Sequence, residues 1–139
     1  MTPKIVDDIE MLFSAKFEIW YLIDYSDIFG KIKPIYLSSF SVQSHIAKNK
    51  NRKDILASDY AIIKNLLCHA IAVIEDNKSK NLTNFSKIIF AKFNGENYKF
   101  VLKNIKDKDE IFLTTLIKLS RDDDKVKELI LKTKNAKEI

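Results

Sequence analysis

FSKIIFAKFNGENYKFVLK, residues 85–103, is the stretch on which the fold turns. Ile88, Phe90 and Lys92 alternate with Lys87, Ile89, Ala91 and Phe93, the period of a strand whose faces differ. Asn94-Gly95 then interrupts the run, and an Asn-Gly pair between alternating segments is the strongest short-range signal for a two-residue hairpin. A second strand over Asn97 to Lys103 and a third over Glu110 to Leu119 complete an expected antiparallel meander, with 105–109 as a charged turn.

Upstream of the meander, DYAIIKNLLCHAIAVIED (59–76) puts Ile62, Ile63, Leu66, Leu67, Ala70, Ile71 and Ile74 on one broad apolar face. That spacing predicts the main core helix, capped by Ser58 or Asp59. Ser39 or Ser41 opens a shorter helix through Val42 and Ile46, which runs into Lys48, Asn49, Lys50, Asn51, Arg52 and Lys53. Nearer the N-terminus, Phe17, Ile19, Tyr21 and Ile23 alternate with polar and large residues and lead past Gly30 to an extended piece at Pro34 to Leu37. Before them Ile5, Ile9, Leu12 and Phe13 recur at helical spacing over Thr2 to Ser14. Downstream, Val126, Leu129, Ile130 and Thr133 form a terminal amphipathic helix after Asp122, Asp123 and Asp124. The expected class is therefore α+β: an N-terminal helix and hairpin, two central helices, an antiparallel three- to four-stranded meander, and a C-terminal helix. One domain over 1–139 is expected, with a core at 33–119 and the helix at 120–139.

Composition narrows the classes. Apolar residues make up 46% of the 139, enough for a packed core without disulfides or metals. Cys68 is the only cysteine, so neither an internal disulfide nor a multi-cysteine zinc site is available, and no metal or cofactor is expected. No apolar run approaches the ~18–20 residues of a membrane span, and Asp7, Asp8 and Glu10 stand where a signal peptide would be basic. A cytoplasmic protein with no membrane partner is the expectation. The net charge of +5 comes from 24 basic against 19 acidic residues, and the basic residues are Lys except for Arg52 and Arg121. A Lys, Asn, Ile and Phe bias is also what an AT-rich genome imposes, but a basic chain still favours polyanionic partners through counterion release.

The segments IYLSSFSVQSHIAKNKNR (35–52), DYAIIKNLLCHAIAVIED (59–76), SKIIFAKFNGENYKFVLK (86–103) and EIFLTTLIKL (110–119) together resemble the phage-associated branch of the barnase, EndoU, colicin and RelE-like nucleases. The resemblance spans roughly residues 33–119. It lies in a short strand, a Ser-rich turn into a His-bearing helix, a longer helix ending in an acidic turn, and a meander whose last strand carries Thr. It implies a compact ribonuclease of the small toxin or effector type that cuts RNA without a metal, tRNA being one candidate target. A toxic enzyme would have a cognate inhibitor protein in the same cell. The helix His is not followed by a second His within its own segment, and the last strand lacks an aromatic just after its Thr. Those departures ground a rival reading, a catalytically inactive nuclease-like module that binds RNA or a protein partner.

Metal-free RNA cleavage needs a proton carrier and groups that bind the phosphate as charge develops. His45 is the candidate general acid or base, because an unperturbed imidazole titrates near pH 6.5. In the last strand a strict period of two puts Thr114 and Lys118 on the less apolar face, with Thr115 the competitor of Thr114 if the register slips by one. A Thr hydroxyl and a Lys ammonium suit phosphate oxygens. Lys48, Lys50 and Arg52 would track an RNA backbone, and Lys92 is a further candidate contact. Each also has an ordinary reading: a helix-edge His, solvated strand residues, a Lys-rich loop. His69 and Cys68 read as core or boundary residues, Asp122 to Asp124 as helix-capping acids, and no phosphate-binding Gly loop, G-x-S-x-G or HExxH is present. A third class, a protein-interaction domain, would expose Trp20, Leu22, Phe112 or Leu116.

Overall fold

The computed structural model describes residues 4–5, 19–25, 33–38, 59–60, 62–76, 84–105 and 110–137. Among them are seven strands, β1 (Lys4–Ile5), β2 (Ile19–Tyr25), β3 (Lys33–Ser38), β4 (Ala70–Asp76), β5 (Asn84–Phe93), β6 (Glu96–Ile105) and β7 (Glu110–Lys118), and two helices, α1 (Ile63–Cys68) and α2 (Asp123–Lys137). The strands make one mixed sheet in the order β1-β2-β3-β7-β6-β5-β4. Its main body is the five strands from β3 to β4. Pairing is antiparallel from β4 through β7 and parallel between β7 and β3, where Ile35 stands opposite Ile111 and Tyr36 opposite Phe112.

The β5–β6 hairpin turns on Asn94 and Gly95, whose φ angles of 53° and 76° are both positive. Such a turn matches the twist of the strands it joins, and Asn and Gly are the residues that adopt it at least cost. The two faces of the sheet bury different clusters. On one, Ile35, Leu37, Ile89, Ala91, Tyr98, Phe100, Leu102, Ile111, Leu113 and Leu116 pack with Tyr60 and with Ile63, Leu66 and Leu67 of α1. On the other, Ile74, Ile88 and Phe90 meet Val101, Leu119, and Leu129 and Ile130 of α2. We call these the α1 face and the α2 face.

The architecture differs from the expected one. The long core helix over 59–76 does not form: α1 is six residues, and Ala70–Asp76 becomes a strand, β4, at the sheet edge. The physical reason is that AIAVIED satisfies both periods. Its β-branched Ile71, Val73 and Ile74 favour extended backbone, and pairing of Ala72 with Phe90 and Ile74 with Ile88 adds a ladder that a helix would forgo. The meander is likewise not a free-standing antiparallel unit of three or four strands, because β4 joins one side and β3 joins the other in parallel. In place of an opening helix, Lys4–Ile5 pairs in parallel with β2. The rest of that expected helix, and all of the short one over 39–47, lie outside the described residues. No helix of the described residues is long and apolar enough to cross a membrane.

Candidate nucleic-acid interface

Where β7 passes β6, Val101 pairs with Thr115 but Leu102 pairs with Leu113. Two residues of β7, Thr114 and Thr115, thus fill the space of one, a β-bulge. The Thr114 hydroxyl turns back to the Val101 carbonyl at 3.4 Å, a long hydrogen bond. The extra residue exchanges the faces of everything beyond it. Leu113 and Leu116 both enter the α1 core although their spacing is odd, and Thr115 falls on the α2 face with Val101.

Lys118 consequently follows Leu116 to the α1 face, where its ammonium lies 3.6 Å from Asp59. Asp59 is buried and also accepts a hydrogen bond from the Tyr98 hydroxyl at 3.2 Å. Burial, reinforced by the Asp59 charge, pushes the Tyr60 and Tyr98 phenols up to about 12. Thr115, the alternative to Thr114 as the partner of Lys118, is therefore on the opposite face from Lys118, while the preferred Thr114 is the bulged residue between the two registers. Lys92 is engaged too: its ammonium contacts the Asp123 carboxylate at 2.8 Å. His45, Lys48, Lys50 and Arg52 lie outside the described residues.

What the bulge assembles on the α2 face is a different set. Beyond the edge of α2, the row across β3, β7 and β6 reads Tyr36, Phe112, Lys103, and the next row pairs Thr115 with Val101. The Tyr36 and Phe112 rings are 5.7 Å apart and tilted by 42°. All of these side chains are partly exposed. Between the sheet and the last turns of α2 runs a groove of about 460 Å³, lined by Lys99, Thr115, Lys132, Thr133 and Asp76 over a floor of Ile88 and Val101. Two ammonium groups and the Thr115 hydroxyl beside a low-dielectric floor can bind the oxygens of an anion, and Asp76 limits how many. The Thr133 hydroxyl donates to the Leu129 carbonyl at 2.8 Å, which leaves its oxygen to accept rather than donate.

At the other end of α2, the helix start is fixed to the β5–β6 turn. Asn97, buried, donates to the Ser120 carbonyl at 3.0 Å and to Asp123 at 3.1 Å, and Arg121 reaches Glu96 at 2.9 Å. Hydrogen bonds from Lys92 and Asn97 hold the Asp123 carboxyl below its ordinary range, and that from Arg121 does the same for Glu96. Asp122 caps the helix by accepting from the Asp124 N–H at 3.0 Å. The acidic triplet thus serves the helix end.

Sequence reasoning missed Tyr36, Lys99, Lys103 and Lys132 as site residues. Alternation in β6 does put Lys99 and Lys103 on one face, a signal that was available. Tyr36 and Lys132 come to that face from remote segments, and no local pattern marks them. Leu116, a candidate for an exposed patch, is fully buried. Cys68, expected in the core, is exposed at the end of α1, and His69 closes that helix through an Nδ1 contact with the Asn65 carbonyl at 2.8 Å. Among the described residues no three His, Cys, Asp or Glu side chains converge as a metal site. Comparison with family models, with curated proteins and with solved structures gives no match, so the site stands on this chain's own geometry.

Proposed function

We propose that the chain is an RNA-binding protein whose binding surface is the α2 face of the sheet, along β6, β7 and β3. The observation that carries the proposal is the bulge at Thr114, which brings Thr115 to the face that already holds Lys99 and Lys103, beside Lys132 of α2. Ammonium and hydroxyl groups arranged along a groove suit a run of phosphates better than a single small anion. The charge of +5 supplies the long-range attraction. Of the two nuclease-like readings the sequence allowed, this favours the catalytically inactive binding module. Thr115, the alternative to Thr114 in the expected catalytic set, is separated from Lys118 by the sheet.

RNA binding by wild type should weaken steeply as salt rises. The Lys99→Gln/Lys132→Gln pair should cost roughly tenfold in affinity and make the salt dependence shallower by about one to two phosphate contacts. Anisotropy titrations at several salt concentrations measure both. Wild type that ignores RNA, or a double variant that binds like wild type, would reject the surface.

Metal-independent cleavage of the bound RNA through 2′-hydroxyl attack is the second reading, favoured by Thr115 standing among lysines. It requires His45 as proton carrier. Incubation of total RNA and tRNA with protein in EDTA decides it: fragments ending in cyclic phosphate that vanish with His45→Ala establish the enzyme, and intact RNA leaves the binding module.

A further inference from the structure

The pairing of Tyr36 with Phe112 sits at the parallel junction of β3 and β7, in register with Lys103 of β6. Ile35, Leu37, Ile111 and Leu113 point into the α1 core, so alternation sends Tyr36 and Phe112 to the α2 face. Both rings are partly exposed there. The two rings are tilted by 42° rather than stacked face to face. An aromatic pair could serve only to seal the strand junction. Here, however, it stands beside Lys103 in a row that runs on through Ser86 to Asp76, next to the row carrying Thr115 and the groove of Lys99 and Lys132.

From this arrangement we infer that Tyr36 and Phe112 are a base-stacking platform and that the ligand is single-stranded RNA with its bases turned onto the sheet. The inference rests on the RNA-binding reading of the same face and adds the ligand's conformation to it. In a duplex the base faces are stacked inside the helix and only edges and backbone reach a protein. Rings lying on a sheet surface gain nothing from such a ligand. A single strand offers every base's π-face, and stacking tolerates any sequence. The flanking lysines then take the phosphates: Lys103 beside the rings, Lys99 and Lys132 along the groove. Charge complementarity and aromatic placement thus agree on one occupant.

The full chain is titrated by anisotropy with labelled oligouridine, with an RNA duplex of the same length, and with heparin, a polyanion without bases. Wild type should prefer the single strand. Phe112→Leu should weaken oligouridine binding at least about fivefold and leave heparin binding unchanged. Phe112→Trp guards against a variant that merely misfolds: it should retain or tighten oligouridine binding and show indole quenching, beyond any from Trp20 in wild type, on adding the oligonucleotide. Equal affinity for single strand and duplex, a Phe112→Leu variant that binds oligouridine like wild type, or an unquenched Phe112→Trp would each overturn the platform and leave RNA binding intact. Failure of wild type to bind any RNA would instead remove the reading on which it rests.

Discussion

Asp59 is buried, with a relative exposure of 5%, between a phenol and an ammonium. The Tyr98 hydroxyl donates to it and the Lys118 ammonium lies alongside, contacts that offset the cost of burying a carboxyl group. The arrangement acts on the tyrosines in turn. Burial and the Asp59 charge oppose phenolate formation, so folded Tyr60 and Tyr98 keep their protons to about 12, whereas an unfolded tyrosine releases its proton near 10. A folded pKa above the unfolded one gives stability that is complete below pH 10 and is lost as pH rises toward 12. Denaturant midpoints should therefore fall across that window, and ultraviolet tyrosinate absorbance should show two late phenols ionising together with loss of the folded circular dichroism signal. Ionisation of all tyrosines near pH 10 in folded protein would contradict the Asp59 cluster. At this scale, sequence pattern marked Lys118 as basic and strand-borne, yet its partner lies 59 positions away in the chain and no spacing rule links them.

At the level of elements, β7 is where local pattern and final structure diverge most usefully. Ile111, Leu113, Thr115, Ile117 and Leu119 read as one face under strict alternation, but the bulge keeps Ile111 and Leu113 with Leu116 instead. The core gains Leu116 and gives up Thr115, a better burial for an apolar side chain than for a hydroxyl. Deleting Thr114 should test this. It leaves Leu113, Thr115 and Leu116 opposite Leu102, Val101 and Phe100 with each on its present face, so the chain should fold with a loss of no more than about 2 kcal/mol in urea denaturation. Collapse of the fold would mean the bulge is needed for more than register. The same logic explains β4: over seven residues an apolar run cannot declare its period, and the ladder with β5 decided it.

For the whole molecule, one sheet divides two apolar clusters, each closed by its own helix. The α2 side is the thinner. Removal of 120–139 would uncover Ile74, Ile88 and Phe90, at roughly 1.5–3 kcal/mol each, and would release the Asn97 and Lys92 contacts to Asp123. The truncated chain should lose more than about 3 kcal/mol and bind a hydrophobic dye, read by urea denaturation and dye fluorescence. An unchanged midpoint would show that α2 is not part of the core.

The sequence by itself determined the features whose signals are contiguous: the Asn94-Gly95 hairpin, alternation along β5 and β6, the capped amphipathic helix α2, and the basic charge. Each is settled by neighbours within a few residues, through turn geometry, side-chain direction or helix-end hydrogen bonds. Only the tertiary structure decided that residues 70–76 are a strand, that β3 runs parallel to β7, and that Thr115 and Lys118 part company across the sheet. Those outcomes depend on pairing between segments tens of residues apart, where burial of Leu116 and the ladder to β5 outweigh local preference. The same long-range pairing places Tyr36 beside Phe112, and so creates the surface on which the proposed function rests.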